Sequence, residues 1–139
     1  MYKCIGSIPP LDKSPRGKVG TRKQPRIFSF EFQENTFLLF PDIDLERTKL
    51  LILIHSNSKT YERRDANRRT WFKDLKDYPG IGVAFVVGKP AKQGEQKSVV
   101  WESQKFKDIL QIDLVDDYWT LTIKETMAFK YAVNTQVRQ

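Results

Sequence analysis

Hydrophobic and polar positions alternate first in "RIFSFEFQENTFLLF" (Arg26 to Phe40). Phe28, Phe30 and Phe32 there share one side of an extended chain and predict a strand with one buried face. Pro41 and the acidic "DIDLE" end that pattern. In "KLLILIHS" five consecutive aliphatics, Leu50 to Ile54, predict a strand of the kind found at the centre of a sheet covered on both faces. "NSKTYERRDANRRTWFKDL" follows as a helix, with Asn57, Ser58 and Thr60 as candidate caps and Glu62 in its first turn. The turn signal "DYPG" closes it. "IGVAFVVG" (Ile81 to Gly88) is a second buried strand, and "KPAKQGEQK" a polar loop. Val99, Glu102, Phe106 and Ile109 recur at helical spacing and run into a short strand over Asp108 to Asp113. Thr120 or Asp117 starts a last helix, with Leu121, Met127, Ala128, Tyr131 and Ala132 as its inner face.

The order strand, helix, strand, helix, strand, helix predicts an α/β fold, a parallel sheet with crossover helices. Ligands of such sheets bind past the carboxyl ends of the strands, here His55-Ser56, Gly88-Lys89 and Asp113-Leu114 onward. The helix with Arg63, Arg64, Arg68 and Arg69 begins just after the first of these. A helix start offers free N–H donors, and arginine adds bidentate bonds to phosphate oxygens. The plainer reading is a solvated helix face paired with Glu62, Asp65 and Asp74. Arg64, Arg68 and Trp71 share one face, so only part of the set can meet a ligand. Trp71 reads as core rather than as a sugar platform.

Charge changes the picture less than its total suggests. The 139 residues carry a net +7. Residues 1–26 hold seven Lys or Arg against one Asp, which leaves 17 basic and 16 acidic residues for the rest. That Pro- and Gly-containing stretch reads as a basic flexible tail (1–26) before a folded part (27–139). A nucleic-acid interface on the tail and the arginine helix is the alternative from another class. Hydrophobic residues at 40% and charged residues at 29% fit a globular domain. No run approaches the roughly 20 apolar residues of a membrane helix, and the start lacks the apolar centre of a signal peptide. One cysteine, Cys4, permits no internal disulfide. His55, the sole histidine, has no metal-ligand or triad companion at useful spacing. Asp113, Asp116 and Asp117 read as caps and turn residues. The glycines form no phosphate-cradling motif.

Three blocks carry a family resemblance. "LLILIHSNSKTYERRDANRRTW" resembles the first block of the β-1,3-galactosyltransferases (glycosyltransferase family 31), where an aliphatic strand ending in Ser precedes an R-R-x-x-I-R-x-T-W helix. "VAFVVG" is similar to the family's next strand. "ESQKFKDILQIDLVDDYWTLTIKETMAFKYAV" resembles its E-S-x-x-x-x-D-I-x-x-x-D-F-x-D-x-Y-x-N-L-T-x-K-T block. The resemblance covers about residues 49–133. It implies part of a GT-A nucleotide-sugar-binding fold, incomplete at the C-terminus, and transfer of galactose or N-acetylglucosamine from a UDP-sugar onto a glycan acceptor. It also implies Mn²⁺ bound at a D-x-D motif, and a luminal domain anchored in the Golgi membrane.

The chain departs from the family pattern in several places. Asn67 replaces an apolar residue of the arginine motif, and Thr120 stands where Asn usually precedes Leu-Thr. Asp116-Asp117 is not the D-x-D motif, which is expected after Gln139 together with the catalytic base. Neither the Mn²⁺ ligands nor a catalytic residue is therefore expected in this chain. A partial enzyme, inactive by itself, is the leading expectation; a pseudoenzyme remnant is another. The donor-binding candidates that follow from the resemblance are Ser56, Arg64, Arg68 and Lys124. The arginines either reach the donor phosphates or brace the region that does. Lys124 either approaches the site or pairs with Glu102.

Overall fold

The computed structural model describes residues 36–75 and 77–133. The strand expected around Phe28, Phe30 and Phe32, and the expected boundary between residues 26 and 27, lie outside the described residues. Four strands form one sheet: β1 (Phe37–Leu39), β2 (Leu50–His55), β3 (Ile81–Lys89) and β4 (Ile109–Val115), in the order β1-β4-β3-β2. β2, β3 and β4 run parallel; Leu50 pairs with Ile81, His55 with Val86, and Phe85 with Ile109. β1 is antiparallel to β4, so the sheet is mostly parallel. The α/β alternation read from the sequence is the architecture.

β2 is not the central strand that its aliphatic run suggested. It lies at the edge of the described sheet and is only half-buried, whereas β3 is buried along almost its whole length. A continuous apolar run reports that both faces of a strand are covered in part, but not how many neighbours flank it. β3 is central because β2 and β4 both pair with it.

The arginine-rich segment starts as α1 (Tyr61–Asn67), widens into a π-type turn over Arg68–Phe72, and ends as α2 (Lys73–Leu75). Thr70 has non-helical angles (φ −105°, ψ −116°). Its hydroxyl donates to the Ala66 carbonyl at 2.8 Å, the kind of side-chain competition that distorts helices. None of the three candidate caps holds the start of α1 through its side chain: Thr60 instead bonds back to the Asn57 carbonyl at 2.9 Å. α3 (Gln96–Phe106) ends on Lys107, which takes the left-handed conformation at φ 55°. A reciprocal cap between Asp117 and Thr120 opens a short 3₁₀ turn (Tyr118–Thr120) that leads into α4 (Leu121–Val133).

The two sheet faces pack differently. Phe85, Val87 and Ile109 meet Phe72 and Val99 on one face, with Ile54 and Leu39 at the margin; Phe72 stacks on Phe85 at 5.7 Å. Ala84, Val86, Leu110 and Ile112 point the other way, as the period of two requires. They are buried together with Met127, Ala128 and Tyr131 of α4. The inner face of α4 differs from expectation at its ends: Leu121 and Ala132 are exposed, and Lys124 is buried.

Candidate functional site

Past the carboxyl end of β2 the chain turns through residues 56–60 into α1. A cavity of about 220 Å³ opens there, with His55, Ser56, Asn57, Thr60, Arg63 and Arg64 among the residues of its wall. A larger depression, about 460 Å³, lies at the opposite end of the sheet, against Gly82 and Asp108 at the amino ends of β3 and β4. Carboxyl ends, not amino ends, are where α/β sheets place ligands, so the smaller cavity is the candidate site.

Two ion clusters hold this turn from opposite sides. In the first, Arg64 donates to Glu102 through Nε (2.8 Å) and Nη2 (2.6 Å), a bidentate pair with both side chains buried. Its Nη1 donates to the Ser56 hydroxyl at 3.0 Å and to the Asn57 carbonyl, and Nη2 to the Ser58 carbonyl at 3.2 Å. Arg68 donates to Glu102 at 2.6 Å and grips Asp108 with two bonds of 2.8 Å. Its guanidinium lies 4.0 Å from the Phe106 ring centre.

The opposing effects on these groups can be ordered. Burial pushes the Glu102 carboxyl up, yet the hydrogen bonds and charges of Arg64 and Arg68 together hold it below the usual carboxylate value. For Arg68, burial works against the charge, and the bonds to Asp108 and Glu102 outweigh it, so its pKa rises. Two cations and two anions make this cluster neutral.

In the second cluster Lys124 of α4 donates to Asp116 and to the Ser56 carbonyl, each at 2.8 Å. Asp116 also accepts from the Ser58 amide (2.7 Å) and the Gly88 amide (3.0 Å). One carboxylate thus ties together the turn after β2, the end of β3 and α4. The β3–β4 register slips between Val87 and Lys89, which leaves the Gly88 amide free to make this bond. A Cβ on Gly88 would meet the Leu114 carbonyl and, at 2.7 Å, Asp116 Oδ1.

Sequence reasoning placed Ser56, Arg64, Arg68 and Lys124 at one site. The structure gathers Ser56, Arg64 and Lys124 around one turn, with Arg68 behind Arg64. Lys124 pairs with Asp116, not with Glu102. Trp71 is 40% exposed rather than in the core, its indole N–H donating to Asn67 Oδ1 at 3.2 Å. Of the three aspartates read as caps and turn residues, Asp117 is a cap, while Asp113 pairs with Lys89 and Asp116 bridges the strand ends. A signal for Glu102 was present, since a carboxylate in an otherwise apolar stripe with Val99 and Phe106 needs a buried counter-ion. Nothing local distinguished Asp116.

The described residues do not fit a Mn²⁺ site. They contain no group of three His, Cys, Asp or Glu side chains placed to share an ion. The buried carboxylates Glu102, Asp108 and Asp116 are each matched by Arg or Lys. His55, half in solvent, has its pKa lowered by partial burial and then by Lys124, which outweigh the opposing effect of Glu125.

Residues 62–138 match the family described as Galactosyltransferase. The chain belongs to that family. It is 34% identical over 103 residues to beta-1,3-galactosyltransferase 5 of Pan paniscus, which covers 71% of this chain and 34% of the relative. It is 38% identical over 84 residues to mouse beta-1,3-galactosyltransferase 1, covering 59% of this chain and 26% of the relative. It is 35% identical over 92 residues to human lactosylceramide 1,3-N-acetyl-beta-D-glucosaminyltransferase, covering 60% of this chain and 24% of the relative. This galactosyltransferase-family chain thus spans about a third or less of the length of the relatives it matches. Its mostly parallel sheet with helices on both faces is consistent with part of a GT-A fold. Among the described residues, no helix is long and apolar enough to cross a membrane.

Proposed function

We propose that this chain forms the nucleotide-side part of a UDP-sugar-dependent hexosyltransferase. That enzyme moves galactose or N-acetylglucosamine onto a glycan acceptor at the Golgi membrane. One observation carries the reading: in a galactosyltransferase-family chain, two neutral ion clusters brace the turn at the carboxyl end of a parallel strand, beside a cavity whose wall includes Ser56, Thr60 and Arg63. Ser56, in the cavity wall, is the proposed donor contact. Arg64 and Lys124 hold the turn that presents it, through bonds to Ser56, Asn57 and Ser58, and Arg68 braces Arg64 by sharing Glu102 with it. The Mn²⁺ that the family resemblance implies would be held by ligands outside the described residues. No catalytic residue is assigned within them.

The purified chain is expected to bind UDP, seen as a rise in melting temperature. With UDP-galactose or UDP-N-acetylglucosamine, Mn²⁺ and glycan acceptors it is expected to release no UDP above background. Clear UDP release would overturn the inactivity of the isolated chain, and the absence of UDP binding would overturn the nucleotide reading. A nucleic-acid interface is less well supported, because Arg64 and Arg68 are spent on internal pairs rather than displayed.

A further inference from the structure

The cavity beside the turn has a charge balance that the arginine count conceals. Arg64 and Arg68 are neutralised by Glu102 and Asp108, and Lys124 by Asp116. Arg69 pairs with Asp65 at 2.8 Å and is not part of the cavity wall. His55 is in the wall but its lowered pKa keeps it neutral at neutral pH. Arg63 remains. It is exposed and in the wall, and among the described residues it forms no ion pair. Thr60, Arg63, Arg64 and Asn67 lie three or four positions apart on the side of α1 that faces the cavity. Arg64 turns inward to Glu102, and Arg63 is left at the mouth.

We infer that Arg63 is the residue through which this cavity takes an anion, and specifically the diphosphate of a nucleotide. The cavity, about 220 Å³, is smaller than the 300 Å³ or more typical of drug-sized ligands, so it receives part of a nucleotide sugar rather than all of it. Its other polar groups, Ser56, Asn57, Thr60 and Asn67, are neutral. They supply no charge, and the Ser56 and Thr60 hydroxyls are already bonded within the turn. A guanidinium with uncommitted donors supplies both charge and paired N–H groups at phosphate-oxygen spacing. The braced neighbours are held by their own pairs, while Arg63 has donors left to give to a ligand. This assignment rests on the nucleotide reading of the site given above.

The test is calorimetric titration of the full chain with UDP, uridine and inorganic pyrophosphate, comparing wild type with Arg63→Gln, Arg63→Lys and Arg69→Gln. Circular dichroism verifies that each variant is folded, as expected for exposed positions. UDP binding should weaken about tenfold or more in Arg63→Gln, in line with loss of a charge-assisted bond. Arg63→Lys should recover part of it, Arg69→Gln should match wild type, and uridine binding should be unchanged by all three. Equal UDP affinity in wild type and Arg63→Gln would overturn the assignment and leave the nucleotide reading standing. A similar loss for uridine and UDP would overturn the diphosphate contact in favour of a base or ribose contact. Pyrophosphate binding that depends on Arg63, without any preference for UDP, would keep the anion site and overturn the nucleotide reading. No binding of any of the three to wild type would overturn both.

Discussion

Glu102 is the residue on which the site's electrostatics converge. It accepts from both Arg64 and Arg68, and its side chain is almost fully buried. Removing its charge leaves two buried guanidiniums short of a partner, and breaking such a pair typically costs about 3–5 kcal/mol. Glu102→Gln is therefore expected to lower stability by about that amount in urea denaturation. The sign of the pH dependence follows from its depressed pKa. Stability contributed by ionised Glu102 is fully present above the unfolded value near 4.5, and is lost as pH falls through the lower folded value. Below pH 4.5 wild type should thus lose stability more steeply than Glu102→Gln. A steeper acid loss in the variant would contradict this. Gly88 is a residue-scale constraint of another kind, set by space. In Gly88→Ala the added Cβ meets a backbone carbonyl and the bridging carboxylate, neither of which can retreat cheaply. A loss of about 1–3 kcal/mol is expected, the usual cost of overpacking.

At the scale of elements, the arginine helix shows how one segment serves two neighbours. Arg64, Arg68 and Phe72 recur every four residues, a spacing that drifts around a regular α-helix. The wider π-type turn from Arg68 keeps both Arg68 and Phe72 buried, so that Arg68 reaches Glu102 of α3 and Asp108 just before β4 while Phe72 stacks on Phe85 of β3. The end of α3 is less well optimised. Lys107 sits in the left-handed region at φ 55°, where glycine avoids the penalty of a Cβ. Lys107→Gly is expected to raise stability by roughly 0.5–1 kcal/mol, less any gain in unfolded-chain entropy. A melting temperature below that of wild type would show that the Lys107 side chain matters more than its backbone strain.

Across the whole molecule, the turn at residues 56–58 is a shared partner of two clusters that do not touch each other through side chains. The Arg64–Glu102 pair holds it from the α3 side, and Lys124–Asp116 from the α4 side. Sites that share a partner are not additive. The destabilisations of Glu102→Gln and Asp116→Asn should therefore differ from their sum in the double variant by about 0.5–3 kcal/mol. Additivity within error would mean that each cluster is a separate local brace. The sequence by itself determined the alternation of strands and helices, because apolar periodicity and turn residues act locally. The ordered blocks around Ser56, the arginines and Lys124 also identified the family. Only the tertiary structure decided that β3 rather than β2 is central, since strand order depends on neighbours that no local pattern encodes. It also decided which cations are spent. Arg63 and Arg64 are adjacent in sequence and identical in chemistry, but Glu102 lies 38 residues away from Arg64 and reaches only one of them. Asp116 becomes a bridge only once the ends of β2 and β3 and the helix α4 meet around it. Charge pairing at that range is a property of the packed chain, and among the described residues it leaves Arg63, at the cavity, without a counter-ion.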